Sequence, residues 1–173
     1  MHPVVIYRSK TGFSKIYAQW IADELQADLF DARGFAAADF DRYDTVVFGG
    51  GCHAGGINGS KLIKRSGKLL AGKKLAVFAC GASPVLDATV QELKTKNFSA
   101  AEQKTMGFFY LRGGFNFSKL PPFDKFLMSL MKNMLKRKKS PTPDEAGMLA
   151  SYDKPQDFSN RESIGPLLAY VRS

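Results

Sequence analysis

The chain has 173 residues, 45% of them hydrophobic, and carries 25 Lys and Arg against 16 Asp and Glu for a formal charge of +9. That length allows one full hydrophobic core, so a single domain over 1–173 is the expectation. No run of about twenty apolar residues occurs and Met1-His2-Pro3 leads straight into a strand, which excludes a spanning helix and predicts a cytoplasmic protein without a leader.

Strand-like runs recur at Val4-Val5-Ile6-Tyr7, Ala27-Asp28-Leu29-Phe30, Thr45-Val46-Val47-Phe48, Leu75-Ala76-Val77-Phe78-Ala79 and Phe108-Phe109-Tyr110-Leu111. Three of them are continuously apolar, the pattern of central strands covered on both sides. The first helix is predicted to follow Ser14 as N-cap, with Ile16, Tyr17, Trp20 and Ile21 at helical spacing. Further helices are predicted from Gly59 to Ser66, Val85 to Lys96, Phe123 to about Lys136 and Arg161 to Tyr170. The stretch Lys139-Ser140-Pro141-Thr142-Pro143-Asp144-Glu145 reads as a loop, because two prolines and a charge run interrupt regular structure. Strands alternating with helices imply an α/β fold, a parallel sheet with helices on both faces.

Chemistry concentrates where three of these strands end. After the first strand, Ser9-Lys10-Thr11-Gly12-Phe13-Ser14 runs hydroxyls and a glycine into a helix N-terminus, which offers free amides and the positive end of the helix dipole to an anion. The spacing fits neither a P-loop nor the three-glycine dinucleotide fingerprint. After the third strand, the segment from Gly49 to Gly59 holds six glycines around Cys52, His53 and Ala54. Such a density predicts backbone passing close to a flat ligand. After the fourth, Cys80-Gly81-Ala82-Ser83 is again small and polar. All three loops leave the carboxyl edge of neighbouring strands, where doubly wound sheets bind ligands at the switch in strand order.

On these residues the chain resembles the flavodoxin family, whose first loop reads roughly Ser/Thr-x-Thr-Gly-x-Ser/Thr; Ser9, Thr11, Gly12 and Ser14 match it position by position. The resemblance to the core fold runs from about residue 3 to residue 112. It implies a flavodoxin-like doubly wound sheet, five parallel strands in order 2-1-3-4-5, and FMN as cofactor. It further implies that Ser9 to Ser14, with Lys10 and Phe13 among them, hold the FMN phosphate. Gly50, Gly51, Cys52, His53, Ala54 and Gly55 would then pass one edge and face of the isoalloxazine ring, and Cys80, Gly81, Ala82 and Ser83 would border the other. Within the family the chain is most similar to the group that includes menaquinone-dependent protoporphyrinogen dehydrogenase, which shares a basic, aromatic-rich segment late in the chain, here at about 113–139. The +9 charge departs from the acidic character of many flavodoxins, and His53 is the only ring in the second and third loops. Aromatics between Phe108 and Phe117 would have to supply any further cover.

Three functional readings follow. The first is an FMN-dependent oxidoreductase that exchanges electrons with a protein partner or a quinone; no protein nucleophile is needed, and His53 is the one candidate catalytic residue, as a proton carrier. The second is a membrane-associated, protoporphyrinogen dehydrogenase-like enzyme with a quinone acceptor. The third is a flavin-free binding or scaffold module. A receiver-type module would need an Mg²⁺-binding acidic cluster where Arg8-Ser9 and Gly49-Gly50 stand, so no metal is expected. Aromatics are not interleaved with basic residues, which argues against nucleic acid. Cys52 and Cys80 are expected to be free thiols, near each other at one sheet edge.

The predicted helix at 123–136 is strongly amphipathic. Phe123, Phe126, Leu127, Leu130, Met131 and Met134 share one side and Lys125, Lys132, Lys136 and Lys139 the other. That pattern fits a helix laid over the sheet with its lysines in water. It equally fits a helix at an anionic membrane surface, which would make the protein peripheral on the inner face of the membrane.

Overall fold

Strands and helices alternate along the chain, as the hydrophobic pattern predicts. The computed structural model describes residues 1–141 and 143–173, and side chains at 143, 144 and 148 lie outside that description. The elements run β1 (Pro3–Arg8), α1 (Phe13–Leu25), β2 (Asp28–Asp31), β3 (Thr45–His53), β4 (Gly56–Ile57), α2 (Lys61–Arg65), α3 (Gly67–Leu70), β5 (Lys74–Gly81), α4 (Asp87–Asn97), α5 (Ala100–Lys104) and β6 (Gly107–Arg112). They continue with β7 (Gly114–Phe115), α6 (Pro122–Arg137), α7 (Pro143–Asp153), β8 (Gln156–Asp157) and α8 (Gly165–Arg172). Short 3-10 turns occupy Ala37–Arg42, Phe117–Lys119 and Arg161–Ile164.

The main sheet has the order β2-β1-β3-β5-β6, with β4 folded antiparallel onto the end of β3. The other five strands pair in parallel, which is the expected 2-1-3-4-5 order. Alternate residues of the central strands feed two separate cores. Val4, Ile6, Val46, Phe48 and Val77 pack with Phe40, Ile63, Leu70, Leu93 and Phe98 on the side of α2, α3 and α4. Val5, Val47, Ala76 and Phe78 pack on the other side with Tyr17 and Ile21 of α1 and Leu167 and Val171 of α8. Burial on both faces explains why these strands read as unbroken apolar runs.

Three expectations need correction. Gly12, not Ser14, occupies the N-cap of α1, at φ 104°, and no side chain caps the helix; Ser14 is buried within the first turn. The helix expected at 59–66 is shorter and breaks at Ser66, where α3 restarts. The loop expected at 139–145 ends early, because Pro143 begins α7; proline suits a first helical turn, whose amide has no intrahelical partner in any case. Thr142, within that stretch, lies outside the described residues.

Between β6 and α8 the chain makes an insert, residues 113–158, that contains α6 and α7. Its two ends are joined by antiparallel pairing of β7 with β8, Gly114 opposite Asp157 and Phe115 opposite Gln156. The basic amphipathic segment thus forms half of a helical pair. Among the described residues no helix is long and apolar enough to cross a membrane.

Candidate functional site

A cavity of about 470 Å³ opens at the carboxyl edge of β1, β3 and β5. That lies within the roughly 300–1,000 Å³ usual for small-molecule sites. Of the residues singled out in the sequence, Lys10, Thr11, Phe13, Ser14, Gly51, Cys52, His53, Ala54, Gly55, Cys80, Gly81, Ala82 and Ser83 line it. Ser9, Gly12 and Gly50 do not, and each has another role.

The Ser9 hydroxyl accepts the Gly12 N–H at 3.0 Å, closing the loop before α1. Gly12 takes a left-handed φ that a side chain would strain. Since no side chain caps α1, the amides of its first turn keep no partner within the helix and stand beside the cavity. The hydroxyls of Thr11 and Ser14 line the same wall. Arg8 turns away to Asp31, 3.5 Å from its carboxylate, and a hydrogen bond from Arg33 holds that carboxyl down to about 2. This cation thus faces the β2 carboxylate and does not line the cavity, although its buried Nη1 makes no hydrogen bond.

The glycines after β3 divide by purpose. A Cβ on Gly49 would lie 1.9 Å from the Phe78 ring, and one on Gly50 would lie 2.4 Å from the Asn58 carbonyl. These two serve internal packing, whereas Gly51 and Gly55 border the cavity. Beyond them β3 and β4 form a hairpin, with His53 opposite Gly56 and Ala54-Gly55 as the turn. Both turn residues have positive φ, 48° and 74°, as in a type I′ hairpin. Buried Asn97 of α4 holds this hairpin: its amide oxygen accepts the Ile57 N–H at 3.0 Å and its amide nitrogen donates to the Gly55 carbonyl at 2.9 Å.

The third loop is pinned from β6. Tyr110 donates its hydroxyl proton to the Ser83 carbonyl, and Arg112 donates from Nε to the Ala82 carbonyl while its guanidinium stacks 3.8 Å over the Phe158 ring. Cys52 and Cys80 are free, on neighbouring strand ends. Burial pushes the Cys52 thiol up to about 11 and the Cys80 thiol up to about 12, so both stay protonated at neutral pH and neither is an activated nucleophile.

The insert closes the remaining side. Phe115, Asn116, Leu120, Asp124, Met128 and Met131 line the cavity opposite the loops. Asp124, with a side chain only 5% exposed, accepts a 2.6 Å hydrogen bond from Lys10 and lies 3.5 Å from His53 Nε2. One buried carboxylate therefore joins the first loop, the second loop and the first turn of α6. Sequence reading missed Asp124 and Asn97, since each acts through partners remote in sequence. Of the late aromatics, Tyr110 and Phe115 reach the cavity; Phe108 packs on Phe98 and Phe109 on Tyr170.

The sequence profile described as a flavodoxin domain matches residues 4–142. No curated protein matches the chain. Similar solved structures include the two-electron reduced flavodoxin of Megasphaera elsdenii, at 14% identity and TM-score 0.48, covering 70% of this chain and 89% of that one. The oxidised flavodoxin 1 of Bacillus cereus shows 17% identity and TM-score 0.46, covering 80% and 100%. A flavoprotein of Lactobacillus acidophilus in complex with FMN shows 16% identity and TM-score 0.45, covering 64% and 92%.

Proposed function

Because the chain belongs to the flavodoxin domain family, matched over residues 4–142, we propose that it binds one FMN in the cavity at the carboxyl edge of the sheet and works as an electron-transferring oxidoreductase. The observation that carries this reading is the convergence of three strand-end loops on one cavity, with the uncapped start of α1 in its wall. Amides of the first turn of α1 and the hydroxyls of Thr11 and Ser14 suit a phosphate, while Ser9 and Gly12 shape the loop that presents them. Gly51 to Gly55 on one side and Cys80 to Ser83 on the other leave a gap walled largely by small residues, which suits a flat ring. FMN, when bound, supplies the redox chemistry; the protein binds it, orients it and sets its surroundings. His53, backed by Asp124 at 3.5 Å, is the side chain placed to hold a proton at the rim. Two free thiols suit a reducing cytoplasm.

The exposed apolar side of α6 favours a more specific reading within this class. The helix that roofs the cavity presents Phe123, Phe126 and Leu130 outward, which suits a lipophilic electron acceptor such as a quinone. The matching donor would be a porphyrinogen-like substrate, as in the protoporphyrinogen dehydrogenase group. Lys119 and Lys125 would meet its carboxylates, since Arg112 is already committed to Ala82 and Phe158.

The test is direct. Protein purified without added cofactor should show a flavin band, and apo protein should quench FMN fluorescence with one-to-one saturation. Thr11→Ala should weaken FMN binding about tenfold, the loss of one hydrogen bond to a charged group. A colourless protein that never saturates with FMN would instead favour the flavin-free module, and a flavoprotein that reduces no quinone would remove the narrower reading.

A further inference from the structure

The strongest feature outside the cavity is the outer side of α6. Phe123 is 70% exposed, Phe126 60% and Met134 73%, with Leu127 and Leu130 exposed between them. Their spacing, i, i+3, i+4, i+7 and i+11, sets all five along one stripe about 16 Å long on a 16-residue helix. A globular protein normally turns such a stripe inward. Here the inward positions are taken by Asp124, Met128 and Met131 over the cavity, while Lys132 faces α7 through its pair with Asp153.

Cations gather at one end of the stripe. The helix closes on Lys136 and Arg137 and is followed by Lys138 and Lys139, all four exposed, on a chain of net +9; of these, Lys138 is paired with Glu145 at 2.8 Å. Large apolar side chains continuous with a cationic end are what an interfacial helix presents: the apolar side enters the boundary between headgroups and acyl chains, and the cations meet lipid phosphates. A second apolar pair, Val85 and Leu86, is also exposed, just beyond Ser83 at the cavity wall.

We infer that α6 docks the protein on an anionic lipid bilayer, its apolar stripe lying in the interface and Lys136, Arg137 and Lys139 on the headgroups. The cavity, roofed by the same helix, is then held at the membrane surface, where a lipid-soluble partner of the site is concentrated. This surface does not depend on the cofactor, so its test is independent of the flavin reading.

The full chain is mixed with sucrose-loaded vesicles of phosphatidylcholine alone or with 30% phosphatidylglycerol, and bound protein is measured after sedimentation. Binding should rise at least tenfold with the anionic lipid and fall with added salt. Phe126→Ser with Leu130→Ser should reduce it at least tenfold, and so should Lys136→Glu with Arg137→Glu, each variant keeping the wild-type circular dichroism and melting curve. Both pairs change exposed side chains, so folding should survive. Equal binding to neutral and anionic vesicles, no binding to either, or binding that ignores the serine variant would overturn the inference. So would concentration-dependent dimerisation, in light scattering without lipid, that the serine variant abolishes, since a second copy would then be what covers the stripe.

Discussion

In the central strands, Val5, Ile6, Val47, Phe48, Val77 and Phe78 have no exposed surface at all; in α6, sixteen residues long, one side chain is buried, and it is the carboxylate Asp124. The sheet is held by apolar burial on both faces, each such side chain contributing roughly 1.5–3 kcal/mol. The insert is held by a few discrete fastenings. Among the described residues these include Asp124 to Lys10 and His53, Lys132 to Asp153, Lys138 to Glu145, the Tyr152 hydroxyl to the Met128 carbonyl, the rings of Phe115 and Phe117 against Tyr152, Arg112 over the Phe158 ring, and the short β7–β8 pairing. Regions held by few apolar contacts open locally at a lower free energy than the core. The floor of the cavity therefore belongs to the most densely buried part of the molecule, and its roof is expected to open at a lower free energy than the sheet.

The largest effect that would break this contrast is expected at Gly49. In Gly49→Ala the new methyl would sit on the Phe78 ring, which is fully buried in one cluster with Val5, Val47 and Tyr17, so the strands or the ring must shift. A loss of about 3 kcal/mol or more in urea unfolding is expected, at the upper end of overpacking effects. A loss below about 1 kcal/mol would mean that the sheet core yields as easily as the insert.

Asp124→Ala should be milder and of a different kind. Its partners, Lys10 and His53, are 32% and 41% exposed, so both can rehydrate when the carboxylate goes. Global stability should fall by only about 1 kcal/mol, well short of the 3–5 kcal/mol seen when a buried partner is stranded. Amide exchange in 122–158 should nevertheless quicken severalfold while β1, β3 and β5 keep their protection. If exchange quickened equally in the sheet, the insert and the sheet would be one cooperative unit.

The same contrast explains what the sequence made legible. The alternation of strands with helices is legible because apolar runs are separated by helical spacing, and the central strands, buried on both faces, read as unbroken apolar runs; the strand order comes from the family resemblance, since periodicity does not say which strand lies beside which. The three loops are legible as a site, since topology alone brings the ends of β1, β3 and β5 together. The role of Gly49 and Gly50 is not, since a glycine avoiding Phe78 and one avoiding a ligand look identical in sequence. Nor is the outward stripe of α6: helical spacing tells which residues share a side, never what lies opposite. Asp124 reads as an ordinary acidic residue in a first helical turn, and its bond to Lys10 spans 114 positions. The two-residue strands β4, β7 and β8 are too short to carry any periodic signal.

Between the two extremes stands the β3–β4 hairpin, which continues a core strand yet reaches the cavity. Ala54 sits there at φ 48°, in the left-handed region that disfavours a side chain by roughly 1–2 kcal/mol. Ala54→Gly removes that strain but gives the unfolded chain more freedom, which returns part of the gain. A net stabilisation of about 0.5 kcal/mol is expected, read as a small upward shift in the urea midpoint with an unchanged slope. Asn97 still bonds Gly55 and Ile57 in the variant, so the hairpin should keep its shape and FMN affinity should stay within twofold. Stabilisation with a marked loss of FMN affinity would instead show that the strained alanine stiffens the loop for the ligand, and the hairpin would then belong functionally with the movable roof rather than the fixed floor.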